Sequence, residues 1–299
     1  MSLAFHIADV FTDRPFGGNQ LAVVPDARGL SDKRLAEIAR EFNFSETVFV
    51  LPPEDPAHSA RLRILTPAVE LPFAGHPTVG AAAVLVGQGL VDPAATGGAV
   101  LFEEGVGLVS VRVDGSFAEL TMTAPYRTSA ERPDPVAVAA ALSLPAGAVL
   151  ECWFGSVGVP FCYARLTDAA AVDGAVLDRA AWAAAFGPEV GGFASDLYVF
   201  AGELTDGSRL HARSFIPGMG VVEDPATGAA AAGLVAGVAS GHAAGPGTPD
   251  GALSLTIDQG VAMGRPSVIA ASARWVDGAL VSASVGGHTV LVASGELTV

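Results

Sequence analysis

Glu46 stands where a loop enters a strand, among Phe44, Val48 and Phe49. A carboxylate desolvated in such surroundings has a raised pKa and suits taking and returning a proton near neutral pH. The same residue type also serves as a cap, a turn residue or an ion-pair carboxylate, and that reading stays open beside the catalytic one. Asp196, in the similar segment Ala194-Ser195-Asp196-Leu197-Tyr198-Val199, reads either as a second acid/base or as a turn residue, with the turn favoured. His76 and Asp224 each precede a proline that opens an apolar, alanine-rich run. Asp224 followed by Pro225 predicts an N-cap and a first helical residue, where proline sacrifices no hydrogen bond. Plain capping is the alternative for each; it is the better reading for Asp224 and less so for His76, because histidine is a poor N-cap. Two helix N-termini facing each other across a domain cleft would offer amides to a substrate carboxylate, the second of them over Asp224–Ala229. His76 and Asp224 would then exchange protons or hydrogen bonds with that substrate.

Other chemistries find no support. There is no GxxxxGK[ST], HExxH, GxSxG or dinucleotide GxGxxG; Gly218-Met219-Gly220 stops short of the last because position 223 is Glu. The six histidines are scattered without metal-ligand spacing, so no metal is expected. Cys152 and Cys162 form no CxxC pattern and read as small, reduced core residues. Lys33, the single lysine, lies on the surface-type helix Ser31–Phe42, which argues against pyridoxal phosphate or Schiff-base chemistry. The expectation is a site without a cofactor.

Composition narrows the class further. The 299 residues suggest about two domains with sizeable cores, and 51% apolar residues argue against disorder. A net charge of −15 makes nucleic acid an improbable partner and gives anionic membranes nothing to hold. Asp9 and Asp13 stand where a signal peptide would be apolar, which points to the cytoplasm. The uncharged run Pro225–Pro249 is too rich in Gly and Ala for a membrane span and is broken by Gly245-Pro246-Gly247.

The elements that must position these side chains repeat. Gly75–Gly89 and Gly220–Gly241 are apolar all round, so each predicts a buried helix that strands can approach closely. Pro225 and Gly228 follow Pro77 and Gly80 by 148 positions, and Ala229–Ala231 follow Ala81–Ala83 by the same interval. The Phe44–Phe49 segment recurs at 194–199, 150 positions on. Internal duplication is the better reading: two similar halves, each a sheet around one buried helix. In the first half strands are expected at Leu3–Phe11, Gln20–Pro25, Thr47–Leu51, Arg61–Leu65, Ala99–Glu103, Val106–Asp114 and Ser116–Thr123, with Thr66–Ala74 a loop. In the second, helices are expected near Val136–Leu142 and at Leu177–Phe186, with strands at Val149–Trp153, Val159–Leu166, Asp196–Ala201 and Arg209–Phe215. The end of the chain reads as hairpins such as Val281–Val285 and Thr289–Ala293. The fold class is α+β, mixed and mostly antiparallel, rather than alternating βαβ. Polar, proline-bearing Pro125–Asp134 marks the boundary, giving domains 1–127 and 128–299, the first completed by about 15 residues of the C-terminus.

Several motifs together resemble the PhzF-like isomerase family of phenazine biosynthesis, which has the diaminopimelate-epimerase fold. They are Asp9-x-Phe11-Thr12-x-x-Pro15-Phe16-x-Gly18-Asn19, Ser45-Glu46-Thr47, Gly75-His76-Pro77-Thr78 and Glu223-Asp224-Pro225-Ala226-Thr227-Gly228, followed by Met263-Gly264-Arg265-Pro266-Ser267 and Gly295-Glu296-Leu297. The resemblance spans essentially the whole chain. It implies two pseudo-symmetric domains, each a strongly bent sheet wrapped round a central helix, a homodimer, and a cofactor-free active site in the cleft. It also implies that Glu46 is the proton-shuttling acid/base, with His76 and Asp224 beside it. Asn19, Gly75, Thr78, Thr227, Gly228 and Ala229 would contact the substrate. Racemase relatives use two thiols at the helix entrances; here Ala74 and the Asp224 segment hold those places, which disfavours two-thiol racemisation. Many members carry serine where this chain has Ala229, a departure that bears on the substrate more than on the proton chemistry.

The expected function is therefore an isomerase that moves a proton on a small carboxylate-bearing metabolite, resembling trans-2,3-dihydro-3-hydroxyanthranilate isomerase. A non-catalytic binding homologue and a two-base racemase or epimerase using Glu46 and Asp224 are the alternatives.

Overall fold

The computed structural model describes residues 2–186, 189–190, 193–194, 196–219, 221–243, 245 and 247–298. It divides into two compact units, Met1–Thr121 with Gly286–Val299 (unit 1) and Met122–Val285 (unit 2). The fold is a mixed, largely antiparallel sheet framework with few helices. Among the described residues no helix is long and apolar enough to cross a membrane.

Unit 1 begins with β1 (Ser2–Val10) and β2 (Asn19–Val24), an antiparallel pair. Helix α1 (Asp32–Phe42) follows, started by Ser31, whose hydroxyl accepts from the Arg34 N–H, and ended by Asn43 at φ +53°. Its face of Leu35, Ile38 and Ala39 packs with Val24, Phe49 and Leu65, each large side chain contributing about 1.5–3 kcal/mol by burial. The chain returns through β3 (Glu46–Leu51), parallel to β2, and β4 (Ala60–Leu65), antiparallel to β3. A two-residue strand β5 (Glu70–Leu71) interrupts the segment expected as loop and leads into α2 (Gly75–Gly87). Then β6 (Val100–Glu104) runs parallel to β4, with β7 (Gly107–Asp114) and β8 (Phe117–Met122) continuing as antiparallel neighbours.

Unit 2 follows the same course. After β9 (Arg127–Thr128) and α3 (Pro135–Ala141), β10 (Val149–Val157) and β11 (Val159–Leu166) pair antiparallel. Helices α4 (Ala169–Gly174) and α5 (Arg179–Ala185) and a small hairpin, β12 (Glu189–Val190) with β13 (Phe193–Ala194), lead to β14 (Leu197–Ala201), parallel to β11. Then come β15 (Ser208–Ile216), antiparallel to β14, and β16 (Val221–Asp224), antiparallel to β15. Helix α6 (Gly228–His242) precedes β17 (Gly251–Gln259), parallel to β15, and β18 (Ser267–Val276), antiparallel to β17. The final strand, β19 (Ala279–Thr298), is continuous over 20 residues where two hairpin strands were expected. Its end pairs with β1 from Ser2↔Thr298 to Val10↔Thr289.

Both central helices are buried along most of their length, α2 against β1, β2, β3 and β7, α6 against β10, β11, β17 and β18. Their small residues set the approach: a Cβ on Gly80 would lie 2.5 Å from Val10 and 2.6 Å from Leu21, and one on Gly233 would run into the Tyr163 hydroxyl.

The two matches found in the sequence fare differently. The 150-residue interval holds in the strands, because Thr47 pairs with Leu65 and Leu197 with Phe215. Ser195, in the middle of that match, and Gly220 lie outside the described residues. The 148-residue interval fails at the helices: α2 starts at Gly75 and α6 at Gly228, 153 positions apart. Asp224 is accordingly no N-cap and Pro225 not a first helical residue. Asp224 ends β16 opposite Ser214, and Thr227 occupies the cap position. By helix start, the counterpart of His76 is Ala229, not Asp224.

Candidate active site

The segment Phe11–Gly18 joins β1 to β2 through strained backbone. Phe11 and Phe16 both adopt positive φ (65° and 68°), a conformation that disfavours side chains and concentrates at functional sites. Asp9 holds the turn by accepting the Phe16 N–H at 2.7 Å. Gly18, also at positive φ, passes so close to Val10 that no Cβ fits. This turn delivers Asn19, 1% exposed, as the first residue of β2.

Asn19 links two segments. The Ser45 hydroxyl donates to its Oδ1 at 3.1 Å, and its Nδ2 lies 3.4 Å from His76 Nδ1. An amide NH₂ only donates, so in this arrangement Nδ1 accepts and the neutral ring carries its proton on Nε2. Nε2 in turn lies 3.5 Å from Glu46 Oε2. His76 sits in the first turn of α2, and Glu46 opens β3 beside Leu21.

Burial decides the electrostatics. The Glu46 carboxyl is pushed up to about 7 by desolvation. Its Oε2 accepts no hydrogen bond among the described residues. A carboxylate half-ionised at neutral pH, beside an imidazole N–H, can accept a proton and give it back. Thr78, expected to contact a substrate, is 0% exposed, and its hydroxyl lies 2.8 Å from both the Ala74 carbonyl and Glu104 Oε1. Gly75 is buried at the start of the same helix.

In unit 2 the Asp224 side chain, 8% exposed, accepts the Thr227 hydroxyl proton at 2.6 Å. Gln259, from the end of β17, donates to the Asp224 carbonyl at 2.8 Å and to the Thr227 hydroxyl at 2.9 Å, and accepts the Thr227 N–H at 3.2 Å. Tyr198 adds a hydrogen bond to Gln259 Oε1 at 3.1 Å, and Ser267 secures the Pro225 carbonyl at 2.9 Å. The Thr227 amide is therefore already engaged, which narrows the amide site expected over Asp224–Ala229 to its helical end. Gly228 is buried and Ala229 partly exposed at that end. Glu223, adjacent in the motif, forms a two-pronged ion pair with Arg213, 2.8 Å on each side.

Sequence reasoning passed over Gln259, Tyr198 and Glu104, whose neighbours are distant along the chain and whose side chains read as ordinary strand residues. Asp196, favoured as a turn residue, is buried just before β14; it accepts the Gly218 N–H at 2.9 Å, and desolvation pushes its carboxyl up to about 6. Among the described residues no His, Cys, Asp and Glu gather with metal-binding geometry. Both cysteines are free and buried, and burial raises both thiols. A groove of about 930 Å³ on unit 1, lined by Arg61, Arg63, Glu103 and Glu104 among others, does not include Glu46, His76 or Asn19.

The family model described as phenazine biosynthesis-like protein matches residues 8–295. The chain belongs to this family. It is 41% identical over 301 residues to an uncharacterised isomerase of Mesorhizobium japonicum, covering 97% of this chain and 96% of that one. It is 33% identical over 295 residues to trans-2,3-dihydro-3-hydroxyanthranilate isomerase of Pseudomonas aeruginosa, covering 97% of each. The crystal structure of a PhzF-family phenazine biosynthesis protein of Bacillus anthracis superposes with a TM-score of 0.82 over 100% of both chains; at 21% identity it shows the shared fold. The PhzF-family protein is thus an enzyme, an isomerase.

Proposed function

We propose that this isomerase moves a proton on a small carboxylate-bearing molecule by general acid/base chemistry, with Glu46 as the base that takes the proton and the acid that returns it. The carrying observation is the desolvated Glu46 carboxyl, its Oε2 sealed from solvent, pushed up to about 7 and with His76 Nε2 at 3.5 Å. A carboxylate of ordinary pKa is a weak base at neutral pH; one near 7 balances its ionised fraction against the strength with which it binds a proton. His76, oriented by Asn19, donates toward the ionised carboxylate and steadies it. The 3.5 Å separation is of the kind that tightens when substrate fills a site.

The substrate class follows from relatives whose names specify trans-2,3-dihydro-3-hydroxyanthranilate, a ring carboxylate that is isomerised by a proton shift. Ala229 supplies no hydroxyl at the start of α6, so a substrate differing from that one in its polar groups is part of the proposal. Asp224 is proposed as a further proton-relaying group, with Thr227 holding its carboxylate. The matched strand pairings of the two units support descent from an internal duplication, with pseudo-symmetric domains.

The test is deuterium incorporation from D₂O, followed by NMR with trans-2,3-dihydro-3-hydroxyanthranilate and a panel of small carboxylic acids. Exchange or isomerisation by the wild-type protein should vanish in Glu46→Gln. Exchange that survives the substitution places the base elsewhere, and Asp224→Asn then becomes the deciding variant.

A further inference from the structure

Glu104 ends β6 and is 9% exposed, against the first turn of α2. The Thr78 hydroxyl oxygen lies 2.8 Å from its Oε1 and 2.8 Å from the Ala74 carbonyl oxygen. A hydroxyl has one proton to give, and a carbonyl has none. An ionised Glu104 can take the Thr78 proton only at the expense of the Ala74 carbonyl, so one of the two contacts is lost unless the carboxyl supplies a proton of its own. Both bonds exist together when Glu104 is protonated.

Strand register supplies an internal comparison. The 150-residue interval that relates Thr47 and Leu65 to Leu197 and Phe215 carries Arg61 onto His211. Their partners in the parallel ladders are Glu103 and Asp258. One residue further on, Glu104 holds the place of Gln259. Gln259 uses all of its amide, accepting from the Thr227 N–H and the Tyr198 hydroxyl and donating to the Asp224 carbonyl and the Thr227 hydroxyl. It is a neutral brace for the start of α6.

We propose that Glu104 is a positioning residue: in its protonated form it braces the first turn of α2 as Gln259 braces the start of α6, and its ionisation loosens the turn that carries His76. The charged and titratable groups around it belong to the adjoining groove and to α2. From β4 come Arg61, paired with Glu54, and Arg63, paired with Asp32 and Glu70. Glu103, on its own strand, is paired with His58 and accepts the Glu54 and Asp55 N–H groups. The titratable residue of the first turn of α2 is His76, and the lining part of β7 contributes only Gly107 and Leu108. With the groove charges already paired, burial dominates and pushes the Glu104 carboxyl up to about 7. The native state keeps this proton to about 7 while the unfolded chain releases it near 4.5, so the stabilisation is complete below about 4.5 and is lost as pH rises toward 7.

The effect on turnover rests on the proposed roles of His76 and Glu46; the brace itself does not. Melting temperature is measured from pH 5 to 8.5 for wild type, Glu104→Gln and Glu104→Leu. The Gln variant should fold, and its melting temperature relative to wild type should rise steadily between pH 5 and 8. The Leu variant should melt below the Gln variant throughout. As a second measurement, wild-type protein labelled with ¹³C at glutamate carboxyls should show a titration near 7 that moves in Thr78→Val. Where exchange activity is present, Glu104→Gln should lose a high-pH decline seen in wild type. A Gln–wild-type difference flat across pH, Leu equal to Gln, or no Thr78-sensitive titration would each overturn the proposal. Absence of exchange in every protein, with the melting differences as expected, would instead count against the acid/base reading.

Discussion

Glu46 and Asp196 stand at the same place in their two units, each at the head of the strand that runs parallel to its predecessor, 150 positions apart. Asp196 is buried and Glu46 half-buried with its Oε2 sealed from solvent, and desolvation raises both carboxyls, to about 6 and about 7. They differ in what their oxygens do. Asp196 Oδ1 is committed to the Gly218 N–H, a bond that closes a loop. Glu46 Oε2 accepts no hydrogen bond among the described residues and lies within reach of His76. The same strand frame in each unit thus brings a carboxyl into low-dielectric surroundings at this position, and Glu46 is the one with an imidazole beside it.

The largest effect should separate these two carboxyls. Glu46→Gln is expected to lower the exchange rate by roughly 10²–10⁴, the range for losing a general acid/base. Asp196→Asn, which keeps the Oδ1 acceptor, should leave kcat within about threefold of wild type. Parallel kinetics on the two variants would break the comparison if both lost activity equally.

Next come Arg63 and Arg213, equivalent in the same register. Arg213 is 10% exposed, grips Glu223 with two bonds and caps the carbonyls of Val172, Asp173 and Ala175 at the end of α4. Arg213→Met should cost about 3–5 kcal/mol of stability, because half-buried Glu223 and the carbonyls of Asp173 and Ala175 lose this partner. Arg63 pairs with Glu70 and with Asp32, whose side chain is 86% exposed, so Arg63→Met should cost about 1 kcal/mol or less. Urea denaturation of both proteins checks the ratio. A smaller effect, about 1–3 kcal/mol, is expected for Gln259→Glu. An ionised carboxylate there would face the Asp224 carbonyl at a position where Gln259 now donates. The loss should grow as pH rises from 5 to 8, and a loss independent of pH would contradict the neutral-brace account.

Much of this site could be read from residue order. Glu46 lies among aromatic and β-branched neighbours that announce its burial, and the alanine-rich runs announce two helices without a polar face. The start of α6 could not be read. Asp-Pro is a good local helix signal, but Ser214, Gln259 and Ser267 hold Asp224 and Pro225 in extended form through contacts remote in sequence. The continuity of β19 was hidden by Gly286-Gly287, which resembles a turn. Gly286 is required instead because Ala118 and Phe117 approach within 2.8 and 2.9 Å of where a Cβ would stand. Glu104 sits in Glu103-Glu104-Gly105, a polar run that reads as an exposed hairpin end, and only the packing of α2 against its unit reveals a buried acid.

The most direct test of the account is the titration of Glu46 itself, followed by ¹³C NMR of glutamate carboxyls, with Glu46→Gln and Glu104→Gln used to assign the resonances. A Glu46 midpoint at about 7 is expected, shifted when His76 is replaced by Ala. A midpoint near the ordinary 4.5, indifferent to His76, would contradict it.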